Sequence, residues 1–167
     1  MHAHGFAPVA AADATLLILG SLPGALSLAR GEYYAQPRNG FWPIMGELVG
    51  TSPSLPYAAR LQWLTAHRIA LWDVCASGFR RGSLDSAIRD PVPNFFPAFF
   101  SEHSEIGLIC CNGGKAADLY RRLVVPGLPA DWQALPRITL PSTSPAHAAM
   151  PFAEKLRRWR AAIRPRS

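Results

Sequence analysis

Thr15-Leu16-Leu17-Ile18-Leu19-Gly20-Ser21-Leu22-Pro23-Gly24 sets an apolar run with no polar alternation directly against a Gly- and Pro-flanked turn. A strand with one face in water alternates apolar and polar residues, so a run without alternation is expected to be buried on both faces of a parallel sheet. Three further runs have the same character: Ile69 to Trp72, Ile106 to Cys111 and Ile138 to Leu140. Between them the apolar spacing becomes helical, first at Phe41, Met45, Leu48 and Val49, then at Tyr57, Leu61 and Leu64, and later at Ala116, Tyr120 and Leu123. A shorter helix is expected from an N-cap at Asn94, burying Phe95, Phe96, Phe99 and Phe100. A terminal helix opens at Pro151 and aligns Phe152, Leu156, Trp159 and Ile163. Pro-rich loops are expected over Thr51 to Pro56, Asp90 to Pro93 and Pro126 to Pro136. Right-handed crossovers then give an α/β fold, a three-layer α/β/α arrangement around a central four-stranded parallel sheet.

A chain of 167 residues with 49% hydrophobic content fits a single domain over residues 1–167, with residues 1–12 expected as a loose N-terminal tail. Seventeen Lys and Arg against eleven Asp and Glu leave a formal charge of +6, which favours a polyanionic partner such as nucleic acid. Much of the excess sits in Lys155, Arg157, Arg158, Arg160, Arg164 and Arg166, and a merely solvated basic helix is the plainer alternative. Cys75, Cys110 and Cys111 form no disulfide framework and no C-x-x-C pair, so they are read as reduced core thiols, with no metal site and no cofactor expected. His2 and His4 are read as part of a frayed terminus. No apolar stretch approaches the ~20 residues that cross a bilayer. A cytoplasmic monomer without membrane association is expected.

Ligands in open parallel α/β sheets bind beyond the carboxyl ends of the strands. All four ends here are polar or glycine-rich: Gly20-Ser21-Leu22-Pro23-Gly24, Asp73-Val74-Cys75-Ala76-Ser77, Asn112-Gly113-Gly114-Lys115 and Pro141-Ser142-Thr143-Ser144-Pro145-Ala146-His147. A phosphate loop is disfavoured, because Ile109 and Ala116 occupy positions that need Gly and Ser or Thr. Ser21 falls one place early for a nucleophile elbow, although a Ser21, His147 and Asp73 triad keeps a serine hydrolase as an alternative. Just beyond the first strand end, Gly31-Glu32-Tyr33-Tyr34-Ala35-Gln36-Pro37-Arg38-Asn39-Gly40-Phe41-Trp42-Pro43-Ile44 places an amide between two aromatic pairs. That combination can stack a flat ring and orient a water beside it.

These stretches together resemble the uracil-DNA glycosylase superfamily, over nearly everything from Thr15 to Ile163. The pocket segment is Tyr34 to Trp42, and the hypoxanthine-DNA glycosylase branch is the nearest in pattern: Gly-Ser-x-Pro, Leu-Trp-Asp, Asn-Gly and Ser-Thr-Ser-Pro-Ala after successive strands. The resemblance implies a DNA glycosylase of base excision repair that removes a deaminated base, hypoxanthine or uracil. Its partner is DNA carrying such bases. Some branches of the superfamily hold an iron-sulfur cluster; three cysteines are too few to ligate one here.

The resemblance makes Asn39 the catalytic residue that holds the attacking water; a helix N-cap is its structural alternative. Tyr34 is then the ring that stacks on the extruded base, with one of Phe41 and Trp42 lining the pocket and the other buried. Gly20, Ser21, Asp73 and Asn112 complete the base-binding set. Asn112 presents an amide to the base edge or else closes an Asn-Gly turn, and Asp73 accepts from a ring N–H, orients the water or caps a turn. Pro23, Ser142, Ser144, Pro145 and His147 form the DNA-binding set, and a protonated His147 also offsets charge on the departing base. Arg80 and Arg81 are read either as phosphate contacts or as solvated surface. No lysine sits in the Gly31–Ile44 motif, so a Schiff base and strand cleavage are not expected. A non-catalytic nucleic-acid-binding domain is the remaining alternative.

Overall fold

A computed structural model describes residues 2–82 and 84–163. Arg164 and Arg166 of the basic tail lie outside the described residues. The elements run β1 (His2–His4), β2 (Leu16–Gly20), α1 (Ala25–Arg30), α2 (Phe41–Val49), α3 (Tyr57–Ala66), β3 (Ile69–Asp73), β4 (Cys75–Phe79) and β5 (Arg89–Pro93). They continue with α4 (Phe96–Glu102), β6 (Leu108–Asn112), α5 (Gly114–Leu119), α6 (Ala130–Gln133), β7 (Arg137–Leu140) and α7 (Phe152–Ala162).

The four apolar runs become one parallel sheet in the order β3-β2-β6-β7. Why they fail to alternate is visible in the packing of β2. Leu17 and Leu19 join a core with Phe96, Phe99 and Phe100 of α4 and Leu119 of α5, while Leu16 and Ile18 join a second core with Phe41 and Met45 of α2, Leu64 of α3 and Trp159 of α7. Both faces are therefore apolar and both are covered. The register sets Gly20 opposite Asp73 and Asn112 opposite Leu140, so the polar strand ends come level at one edge of the sheet.

A second sheet, antiparallel and in the order β1-β4-β5, was not expected from the sequence. Its β5 is the stretch read above as the loop Asp90 to Pro93; Pro91 and Pro93 are tolerated because β5 is an edge strand, and β4 pairs with it irregularly. The N-terminal segment is tied down rather than loose. β1 pairs with β4, Gly5 N donates to Ala76 O at 2.8 Å, Val9 exchanges both backbone bonds with Leu71, and the Trp72 indole donates to Phe6 O at 3.1 Å. The Val9 pair satisfies backbone groups of Leu71 that would otherwise stand open along the outer side of β3.

Two readings around α4 are corrected as well. Asn94 does not cap the helix; its side-chain amide donates to Asp73 O at 2.8 Å, bracing the end of β3. Phe95 precedes the first helical turn and is 72% exposed, while Phe96, Phe99 and Phe100 are buried. The stretch from Pro126 to Pro136 contains the short helix α6. α7 begins after Pro151 and buries Trp159, whose indole donates to Pro141 O at 2.9 Å and so fixes the start of the last loop. Its basic face is only partly offset within the helix: Arg157 and Arg158 share the single carboxylate of Glu154, Lys155 is buried and Arg160 is exposed. Among the described residues, no helix is long and apolar enough to cross a membrane. No group of three or more His, Cys, Asp or Glu side chains among them is placed to hold a metal ion.

Candidate active site

A cavity of about 700 Å³ opens at the level strand ends, a size suited to a nucleobase and its sugar. Gly20, Ser21, Pro23, Tyr34, Asn39, Asp73, Asn112, Ser142, Ser144, Pro145 and His147 all line it. Twelve residues were expected at the site, counting His147 once; these eleven converge and Phe41 alone does not.

The floor is built around an absence of side chain. A Cβ on Gly20 would lie 2.5 Å from Asp73 Oδ1 and 3.1 Å from Tyr34 Oη, so only glycine leaves room there for Asp73, from the end of the neighbouring strand, and Tyr34, from the loop after α1, to come together at the cavity. Asp73 is buried, and its Oδ2 has no hydrogen-bond partner; the buried Tyr34 hydroxyl has none either. Burial, reinforced by the nearby Asp85 carboxylate and opposed by Arg80, pushes the Asp73 carboxyl up to about 7. Burial and then the Asp73 charge push the Tyr34 hydroxyl above its ordinary range, and the nearby Asn112 side chain, which interacts with it short of a well-formed hydrogen bond, opposes them; the hydroxyl stays a neutral donor.

Tyr34 itself is held in a left-handed backbone conformation, φ 55°, which a non-glycine residue adopts at a cost. Phe41 is stacked directly against it, with ring centroids 4.1 Å apart. Phe41 is fully buried and Trp42 is 3% exposed, so neither lines the cavity. Phe41 is corrected from a base contact to the backing of one, because it starts α2 and points into the core. Trp42 is fixed by donating to Tyr33 O at 2.9 Å.

Asn39 stands on the wall beside Tyr34 and does two jobs. Its Oδ1 accepts the Phe41 N–H at 2.9 Å, which closes a turn into α2, while the side chain borders the cavity. The N-cap of α2 is Gly40, so Asn39 is not the cap itself; its side-chain turn one residue earlier and its place on the cavity wall coexist. The next residue, Gly40, donates its N–H to Thr143 O at 2.9 Å and so joins this segment to the last loop.

Asn112 is at the site but already engaged. Its Oδ1 accepts Thr143 N–H and its Nδ2 donates to Thr143 Oγ1, both at 3.0 Å. Reading a base edge would have to use what capacity remains, so the structure favours the loop-fixing role over the base contact. Gly113 follows at φ 96°, where a Cβ would come within 3.1 Å of Ser142. In the last loop, Ser142 Oγ accepts Ser144 N–H and Ser144 Oγ accepts Ala146 N–H, both at 3.2 Å. The hydroxyls shape the loop as acceptors and keep an O–H to donate. His147 is exposed at the mouth, its N–H given to Ser144 O at 3.0 Å.

Ser21 donates its hydroxyl to Asp85 at 2.6 Å. A carboxylate, not an imidazole, is therefore the partner of the serine on which a hydrolase triad was imagined. Arg80 is corrected outright: its side chain is 2% exposed, pairs with Asp85 at 3.5 Å and donates to Leu22 O and Pro23 O, so it holds the first loop in place rather than touching phosphate. Arg81 is exposed. Gln36, Arg38, Leu84, Asp85 and Lys115 line the cavity without having been expected there. Arg38 and Lys115 were within motifs already singled out; Leu84 and Asp85 had no signal, since the turn that brings them over belongs to the unforeseen sheet. The thiols behave as core groups: burial pushes Cys75 up to about 12 and Cys111 up to about 11.

Comparison with known proteins adds the following. Residues 7–164 match the family described as the uracil DNA glycosylase superfamily. A protein named hypoxanthine DNA glycosylase from Methanosarcina barkeri is 37% identical over 119 residues, covering 71% of this chain and 75% of that one. One of the same name from Methanosarcina acetivorans is 39% identical over 115 residues, covering 68% and 73%. The solution structure of an M. acetivorans protein provisionally named a uracil DNA glycosylase superposes with a TM-score of 0.79 at 33% identity, over 96% of this chain and 98% of that one.

Proposed function

The chain belongs to the uracil DNA glycosylase superfamily, and on that premise we propose that it is a DNA glycosylase that removes hypoxanthine, with uracil as the second substrate to test. The observation that carries the site assignment is the pair of buried, unpartnered polar atoms, Asp73 Oδ2 and Tyr34 Oη, facing one cavity across Gly20 with Asn39 on its wall. Buried polar atoms are ordinarily paired, so two at one spot point to partners that arrive with a ligand.

A glycosidic bond inside stacked duplex is out of reach, so the nucleotide must swing into the cavity at a cost of a few kcal/mol. Tyr34 offers its ring for stacking, worth about 1–3 kcal/mol, and Phe41 behind it keeps that ring from yielding. Deamination turns a ring-nitrogen acceptor into an N–H donor. In its ionised form, which prevails above about pH 7, Asp73 accepts from such an N–H, whereas it faces a lone pair on the undamaged base; a misfit of this kind is strongly rejected. The Asn39 amide positions water at the anomeric carbon. As the C–N bond breaks and the C–O bond forms, the base leaves with, in net, one proton of that water, and the protonated form of His147 at the mouth offsets charge that develops on it. Ser142 and Ser144 donate to the DNA backbone, and the N-terminal part of the first loop at Pro23 borders the same path.

The test is incubation of the protein with labelled oligonucleotides carrying hypoxanthine, uracil or xanthine, followed by alkali. Breaks at hypoxanthine are expected, and intact strands on every substrate would defeat the proposal. Because Lys115 lines the cavity, borohydride is added in a parallel reaction. We expect no trapped adduct, in keeping with a monofunctional enzyme; a covalent complex would instead assign a Schiff base to Lys115.

A further inference from the structure

We propose that Leu84 is the wedge that enters the base stack when a nucleotide is extruded, held ready at the cavity mouth by the Ser21, Asp85 and Arg80 cluster; this rests on the DNA-glycosylase reading above. Extrusion leaves a gap in the stack, and proteins that unstack duplex DNA commonly insert an apolar side chain between base steps. The loop expected to meet DNA carries only the small apolar groups of Pro145 and Ala146 at its tip, between Ser144 and His147, and no long aliphatic side chain. Among the described residues lining the cavity, Leu84 is the large aliphatic side chain that projects into solvent, at 56% exposure. An isolated exposed leucine needs no explanation; one on the lip of a base-sized cavity has a use.

A wedge has to be stiff, and the surroundings of Leu84 are. Asp85, the next residue, accepts the Ser21 hydroxyl at 2.6 Å and lies 3.5 Å from Arg80 Nη1. Arg80 is itself buried and fastened to the carbonyls of Leu22 and Pro23. On the other side a short 3₁₀ turn, Asp85–Ala87, leads to Ile88, which is 5% exposed in the core. Leu84 is thus anchored to the loop after β2 and to the interior at once. Exposed Arg81, and exposed Arg38 on the cavity lining, supply cations for the flanking phosphates.

The test compares excision of hypoxanthine from duplex and from single-stranded DNA, because an unpaired target needs no wedge. Leu84→Ala is expected to slow excision from duplex about 10- to 100-fold, matching the few kcal/mol of unstacking, and to change the single-strand rate less than about twofold. Leu84→Met should keep most of the duplex activity. A second arm places 2-aminopurine at the target position in duplex: the parent should raise its fluorescence on binding and Leu84→Ala should not, at similar DNA affinity. Equal loss on both substrates would make Leu84 a mere piece of cavity wall, and unchanged duplex excision or unchanged fluorescence would likewise overturn the wedge. A parent protein that excises nothing defeats the glycosylase reading instead, and the fluorescence arm still decides Leu84.

Discussion

Two strand ends face the same cavity from either side of β2, and they are finished in opposite ways. At the end of β6, Asn112 spends both ends of its amide on Thr143. At the end of β3, Asp73 keeps a buried oxygen with no partner. A satisfied amide lowers the free energy of the fold; an unsatisfied carboxylate raises it, which is the ground on which we assign Asp73 to the ligand. The difference separates what builds the pocket from what the pocket is for.

Substitutions should reproduce that separation. The largest effect is expected at Asn39, which belongs to both classes: Asn39→Ala should slow excision by about 10²–10⁴-fold, the range for a positioned water-orienting group, with DNA affinity little changed. Single-turnover rates measure it, and a rate equal to the parent's would remove Asn39 from the reaction.

Asp73→Asn should move activity and stability in opposite directions. Loss of a charged acceptor for a ring N–H costs about 10- to 100-fold in excision. Below pH 3.8 folded and unfolded chains both carry the Asp73 proton, so the residue costs no stability. Between pH 3.8 and about 7 the unfolded chain ionises first and stability falls, and above pH 7 the penalty is complete. At 1.36 kcal/mol per pH unit that interval caps the gain of the neutral isostere at roughly 4 kcal/mol near pH 8, with no gain near pH 3. Denaturant unfolding at the two pH values checks the sign; a variant no more stable at pH 8 would mean that the carboxyl is not held uncompensated.

Asn112→Ala should do the reverse. It strands the Thr143 N–H and costs about 2–3 kcal/mol of stability, with excision lowered through the loosened last loop rather than through base choice. A change in the preference for hypoxanthine over uracil would return Asn112 to the base-reading set. The smallest effect is expected at Tyr34→Phe, which deletes the other orphaned group and should stabilise the protein by about 1 kcal/mol while raising KM a few-fold.

The parallel sheet was legible because burial on both faces writes itself into consecutive residues, and each predicted strand is observed within one or two residues of its expected bounds. Asp73 was legible for the same reason, since it closes a strand whose position the apolar run discloses, whereas Tyr34 and Asn39, beyond α1, were found through the aromatic-flanked amide segment and its family resemblance. What could not be read were pairings between distant residues. Thr143 is 31 positions from Asn112 and Asp85 is 64 from Ser21, and nothing local marks either partner. The small sheet was hidden by its own composition, since Pro91 and Pro93 signal a loop and Cys75-Ala76-Ser77-Gly78-Phe79 has weak strand character. With that sheet went Leu84, and with it the true place of Arg80.

His2–His4 run alongside β4, whose next residue, Arg80, is the clamp on the first loop. Displacing β1 would therefore disturb the first loop at one remove. A change that pulled β1 away would loosen the strand that steadies the rim, and any loss of activity it caused would be unrelated to the chemistry.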